Sequence, residues 1–134
     1  MIQVTCAVIF RNKKVLIARR GEHPHHAFQW ELPGGKIKPG ESEEHSILRE
    51  IREELELDLK IVEKMKPVDF DYGFKIIRLI PFLCFPKNEK LILNEHVDYR
   101  WVKWQELENM DLSGADSKLL SQPENQNLLE KYSR

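Results

Sequence analysis

An α/β fold, with a mixed β-sheet sandwiched between α-helices, is what this chain predicts. Three observations lead there: apolar β-rich runs open the chain, one amphipathic stretch of helical period follows a glycine loop, and further β-rich runs precede a terminal helix.

Each element has a local reason. "IQVTCAVIF" and "KVLIARR" flank the turn residues Arg11, Asn12 and Lys13, which predicts an antiparallel hairpin. "GEHPHHAFQW" is polar and irregular, and a short strand, "WEL", runs into the loop "PGGKIKPGE". There Pro33, Gly34, Gly35, Pro39 and Gly40 forbid a helix. Ser42 suits a helix N-cap because its hydroxyl can accept an orphan amide, and Glu43 and Glu44 complement the positive helix end. Ile47, Leu48, Ile51 and Leu55 recur at helical spacing as one apolar stripe. Glu50, Glu53 and Glu54 lie off that stripe at i, i+3 and i+4, which points all three to one polar side.

"LKIVEKM" and "PVDFDY" read as extended, and "FKIIRLIPFLCF" as a longer strand after a turn at Tyr72 and Gly73. Pro81 within it implies a bulge or a sheet edge. "YRWVKW" is a further strand and "WQELENM" a short helix. Pro123 suits the first turn of a final helix, "PENQNLLEKY".

With 134 residues the chain is expected to form one domain, residues 1–134. The hydrophobic fraction of 41% suffices for a core. A net charge of -1 gives no basic face for nucleic acid, so an anionic ligand must be held by local cations or a metal. No apolar run approaches the ~18 residues of a membrane span. "MIQVTCAVIF" lacks the basic n-region of a signal peptide, so a cytoplasmic location is expected. Cys6 and Cys84 sit in apolar runs and read as small buried hydrophobes. Assembly as a monomer or a homodimer stays open.

The stretch "REIREELE" crowds carboxylates at a spacing where like charges repel by roughly 0.2–0.5 kcal/mol per pair. Such oxygens suit a hard cation, Mg²⁺ or Mn²⁺, better than Zn²⁺. Mg²⁺ keeps phosphate oxygens in its shell, so a polyphosphate is the natural ligand.

The spacing Gly35, five residues, Glu41, seven residues, Arg49–Glu50–Ile51–x–Glu53–Glu54–x–Glu56–Leu57 closely resembles the Nudix box of the Nudix hydrolases. Similarity to MutT-like nucleoside triphosphate pyrophosphohydrolases extends through "ARR", "WELPGGK", "NEHVDYRWV" and "LSGADS". This resemblance implies the Nudix fold and Mg²⁺, replaceable by Mn²⁺, as cofactor. It makes Glu50, Glu53 and Glu54 the metal ligands, joined by the carbonyl of Gly34 or Gly35 and by Glu95. Arg49 is implied to hold the carboxylates, Glu41 to act behind them, and Glu50 and Glu95 to be the two candidate general bases. Arg20 is the implied phosphate clamp. His25, Leu32, Phe74 and Lys75 are placed at or near the base or sugar, with Ile77 an ordinary strand residue. A zinc site at His23, His25 and His26 is not expected, since their spacing fits no common zinc pattern.

Two positions need separate comment. Where the family has a glycine this chain has Glu56, so the helix either runs on or Glu56 absorbs left-handed strain. Asp116 matches the position that reads the base edge. Ionised, it offers acceptors only and suits an exocyclic amino group; a burial-raised pKa would restore a donor. The implied activity is Mg²⁺-dependent hydrolysis of (deoxy)nucleoside triphosphates to monophosphate and pyrophosphate, clearing oxidised nucleotides of the 8-oxo-dGTP type. The alternatives are hydrolysis of CTP, dCTP or 5-methyl-dCTP, and a non-catalytic nucleotide-binding module.

Overall fold

The computed structural model describes all residues, 1–134, as eight strands, three α-helices and one 3-10 turn. Strands β1 (Ile2–Arg11) and β2 (Lys14–Arg19) form the expected hairpin, with Phe10 opposite Val15 and Arg11 opposite Lys14. Asn12 and Lys13 both have positive φ, 51° and 66°, the two-residue turn whose twist matches the flanking strands.

β1 is the axis of the sheet. It pairs parallel with β7 (Ile76–Pro86), and every other pairing is antiparallel, so the sheet is mixed as expected. The strand path runs β3 (Trp30–Glu31), β2, β1, β7, β5 (Leu59–Lys64). Off it, β4 (Gly34–Lys36) pairs with β1, β6 (Val68–Asp71) with β7, and β8 (Asp98–Val102) with β2. β4 corrects the reading of "PGGKIKPGE" as loop throughout: Gly34 to Lys36 make a short strand against Val4 to Cys6.

Helices cover both faces. Cys6, Val8 and Phe10 pack with Leu119 and Leu129 of α2 (Gly114–Leu120) and α3 (Pro123–Tyr132). Ala7 and Ile9 pack with Ile47, Ile51 and Leu55 of α1 (Glu43–Leu55). A strand buried on both sides has no polar face to alternate with, which is why β1 reads as a continuous apolar run. Both cysteines are free and buried, as expected.

Two local expectations are corrected. Leu48 stands on the flank of the α1 stripe and is exposed. Pro81 lies in a central strand, not at a sheet edge. Its carbonyl accepts from the Met65 N–H, 2.9 Å, so its missing N–H faces the same gap, between the end of β5 at Lys64, opposite Phe82, and the start of β6 at Val68, opposite Leu79. "WQELENM" forms a 3-10 turn (Trp104–Asn109), and α2 is a helix that the periodicity of so short a segment did not announce. No helix is long and apolar enough to cross a membrane.

Candidate active site

Ser42 caps α1 by accepting the His45 N–H at 3.1 Å, with Glu43 and Glu44 in the first turn. This fixes the helix beside β4, where the two glycines are steric necessities. A side chain on Gly34 would run into the Thr5 carbonyl, and one on Gly35 would overlap the Glu50 carboxylate. Backbone and acid therefore approach more closely than any other residue would permit.

Arg49 organises the outer part of the cluster. Its Nε and Nη2 grip both oxygens of Glu41, Nη1 donates to Glu50 at 2.9 Å and Glu53 at 3.2 Å, and Nη2 also reaches the Lys36 carbonyl at 3.2 Å. All five guanidinium donors are thus committed. The bond from Arg49 chiefly holds the Glu41 carboxyl down to about 2.

The three helix glutamates do not share one polar side. Glu54 stands seven residues after Ile47, about 20° from it around the helix, within the buried arc. It is only 5% exposed, while the Glu53 side chain is 51% exposed on the outer flank. Burial, then the charges of Glu31, Glu50 and Glu95, push the Glu54 carboxyl up to about 9; the Gly34 amide counters only in part. Its Oε2 is buried without a hydrogen-bond partner.

An orphaned, desolvated carboxylate oxygen among further carboxylates fits a hard divalent cation, which would replace the proton that burial favours. Glu54 and Glu50 are the side chains best placed to hold it. As they stand, no three His, Cys, Asp or Glu side chains form a group that could hold a metal ion, because Glu50 and Glu53 are turned to Arg49.

From Glu54 a cavity of about 410 Å³ runs along β1 to Asp116, lined by Arg20, Glu31, Leu32, Gly34, Gly35, Lys36, Lys75, Glu95 and His96 among others. Asp116 is 4% exposed, and its Oδ2 accepts the Leu32 N–H at 3.0 Å. Burial, then the Glu31 charge, push its carboxyl up to about 7. Between the two ends, Glu31 accepts from Arg20 at 3.0 Å and pairs with His96 Nε2 at 3.0 Å. Lys75 is held below its ordinary value by burial and by the charges of Lys36 and Arg20, so three cations face one wall.

Among the residues singled out from sequence, Arg20, Leu32, Gly34, Gly35, Glu54, Lys75, Glu95 and Asp116 converge on this cavity, and Ile77 joins them. Two do not. His25 and the exposed Phe74 stack on each other at 4.0 Å outside the lining, while His23 and His26 line the mouth in place of His25. The two loops meet through aromatic faces, and that attraction turns His25 away from the cavity. Glu31, His96 and Tyr72 line the site without having been singled out. Their signal was weak: Glu31 sits in a two-residue strand, and His96 reads as one more polar loop residue beside Glu95.

Comparison with known proteins resolves the architecture. The NUDIX domain family model matches residues 1–122. The chain belongs to the Nudix hydrolase family. Among Nudix relatives, the CTP pyrophosphohydrolase of Escherichia coli K12 is 32% identical over 120 residues, covering 90% of this chain and 89% of that protein. Nucleoside triphosphatase NudI of Escherichia fergusonii is 35% identical, covering 88% of this chain and 93% of its own length. The solution structure of the E. coli ORF135 protein has a TM-score of 0.78 at 32% identity, covering 90% of this chain and 86% of that one. The crystal structure of MutT NUDIX hydrolase from Burkholderia pseudomallei has a TM-score of 0.80 at 26% identity, covering 91% and 97%. The Nudix fold expected from the box is therefore the fold of this chain. Glu56 stands at the αL cap of the Nudix helix with φ 53°, so it absorbs the strain of the family glycine instead of prolonging α1.

Proposed function

We propose that this Nudix hydrolase converts nucleoside triphosphates whose base is a 4-aminopyrimidine or 6-aminopurine, cytidine nucleotides first, to monophosphate and pyrophosphate with Mg²⁺ or Mn²⁺. The observation that carries the base preference is Asp116, a buried carboxyl on the same cavity that Glu54 of the acidic helix lines. In this reading the carboxyl, held by the Leu32 N–H at Oδ2 and by the neighbouring Ser113 side chain, turns its remaining lone pairs to the base. Ionised, it accepts from an exocyclic amino group; protonated, it adds a donor for the adjacent ring nitrogen, the pattern of cytosine. The likeness to a protein named CTP pyrophosphohydrolase supports the same choice. The oxidised-guanine reading takes second place: at the O6 and N7–H edge an ionised carboxyl accepts from N7–H but repels O6, so only the protonated form satisfies both groups.

In this reading Glu54 and Glu50 would hold the divalent ion, which when bound would lower the pKa of attacking water and offset charge on the pyrophosphate leaving group. Glu53, bonded to Arg49, would be a further ligand. Water oxygen forms the new bond to phosphorus, the α–β anhydride bond breaks, and pyrophosphate leaves with the electron pair. Glu95 on the cavity wall takes the proton from water; Glu50, held by Arg49, is less free to do so. Arg20, Lys36 and Lys75 meet the polyphosphate.

Pyrophosphate release measured with CTP, dCTP, 5-methyl-dCTP, dATP, dGTP and 8-oxo-dGTP tests this. The expected result is highest kcat/KM on a cytosine nucleotide, lost with a chelator. A preference for dGTP or 8-oxo-dGTP over every cytosine and adenine nucleotide would overturn it.

A further inference from the structure

The last carbonyls of an α-helix lack partners within the helix. In this chain a single loop supplies them in succession. Asn94 Nδ2 donates to the Glu53 carbonyl at 2.8 Å, the Asn94 N–H to Glu54 at 2.9 Å, the Ile92 N–H to Leu55 at 3.0 Å, and Asn88 Nδ2 to Glu56 at 3.1 Å. The loop is thereby fastened to the turn of α1 that carries Glu53 and Glu54. Immediately after Glu95 it is fastened again. His96, its side chain only 5% exposed, bonds through Nε2 to Glu31 on β3, and the Val97 N–H donates to the Arg19 carbonyl at 2.9 Å.

Glu95 is thus the one residue between two anchors, one on the helix and one on the sheet. Neither neighbour does this through chain connectivity alone: Asn94 uses its side-chain amide, and His96 an imidazole whose other nitrogen is buried without a partner. A buried orphan nitrogen carries a cost, and the Glu31 bond is what holds the ring there. We infer that Asn94 and His96 are positioning residues that together set the Glu95 carboxylate against the Glu54 end of the cavity. This rests on the reading of Glu95 as the acceptor of the proton from water. It goes beyond that reading by assigning the precision of Glu95 to two side chains that touch no reacting atom.

A double-mutant cycle separates positioning from general support. With CTP and Mg²⁺, Asn94→Ala is expected to lower kcat about 10–100-fold with KM changed less than about threefold, the loss typical of a group displaced by around 1 Å. In a Glu95→Gln background the same substitution is expected to lower kcat less than about twofold, since the group it places is gone. His96→Leu behaves in the same way, and His96→Gln, whose amide can still donate to Glu31, recovers most of the loss. Circular dichroism and the urea midpoint confirm that each variant is folded. An equal loss in both backgrounds, or wild-type kcat in folded Asn94→Ala and His96→Leu, overturns the inference alone. Wild-type turnover by Glu95→Gln overturns the role of Glu95 and the inference with it.

Discussion

Glu54 and Asp116 are the two most deeply buried carboxyl groups on the cavity, one at each end, and they are buried differently. Asp116 has the Leu32 amide as a fixed donor, and its carboxyl titrates at about 7. Glu54 faces Glu31, Glu50 and Glu95, has an oxygen with no partner, and titrates at about 9. Burial first, and the Glu31 charge second, account for the shared upward direction. The difference lies in what each lacks. Asp116 is satisfied apart from one edge, the condition for reading a neutral hydrogen-bonding group. Glu54 is unsatisfied in charge, the condition for receiving a cation.

The largest effect that can break this contrast comes from Glu54→Gln. Turnover is expected to fall about 10³-fold or more, because the amide cannot hold the divalent ion. The metal-free variant should nonetheless be more stable than wild type at pH 8, by on the order of 2–4 kcal/mol, since wild type must take up a proton on Glu54 to fold at that pH and the amide need not. Mg²⁺ should raise the melting temperature of wild type and leave that of the variant unmoved. A folded variant with near-normal turnover, or one that Mg²⁺ stabilises equally, would sink the assignment.

Asp116→Asn gives the next largest effect. The kcat/KM ratio of CTP to 8-oxo-dGTP is expected to drop about 10–100-fold, because an amide presents both a donor and an acceptor to guanine. The same variant has a pH signature. The wild-type carboxyl holds its proton to about 7 when folded but only to about 3.9 when unfolded. Its contribution to stability is therefore complete below pH ~4 and lost as pH rises through about 7. Urea midpoints across that window should decline less steeply for the variant. Glu41, depressed to about 2, acts in the opposite sense: its contribution is present above pH ~4.5 and disappears as pH falls toward 2. Matching slopes for wild type and Asp116→Asn would contradict the burial argument.

The smallest effect sharpens the comparison from outside the cavity. Glu56→Gly relieves a left-handed side-chain-bearing residue, with an expected gain of about 1 kcal/mol in chemical denaturation and unchanged kcat. A loss of stability would mean that the freedom glycine adds to the unfolded chain outweighs the strain it relieves, since the Asn88 bond to the residue 56 carbonyl is kept either way.

Regular features of the fold were legible because each has a strong local cause. Pro123 at the start of α3, the Ser42 cap and the Ile47, Ile51, Leu55 stripe all stand where local chemistry puts them. The glycines were legible through the box, and the structure adds the steric reason. What escaped depends on pairs distant in sequence. Glu31 and His96 are 65 positions apart and meet only because β3 and the loop after β7 reach the same cavity. Periodicity placed Glu54 on the wrong side because a glutamate was assumed to be polar-facing, although its helical angle lies beside Ile47. His25 was preferred to His23 and His26 because no sequence pattern reveals that Phe74 turns it aside.

The fivefold commitment of Arg49 has a consequence for traffic through the site. A guanidinium with every hydrogen already assigned is a fastener and cannot serve as a landing point for an incoming anion. The countercharge for an arriving polyphosphate is then left to Arg20, Lys36 and Lys75 on the cavity lining. Arg20 commits only Nη1 to Glu31, so its remaining donors can take up phosphate oxygens while that bond holds the side chain in place.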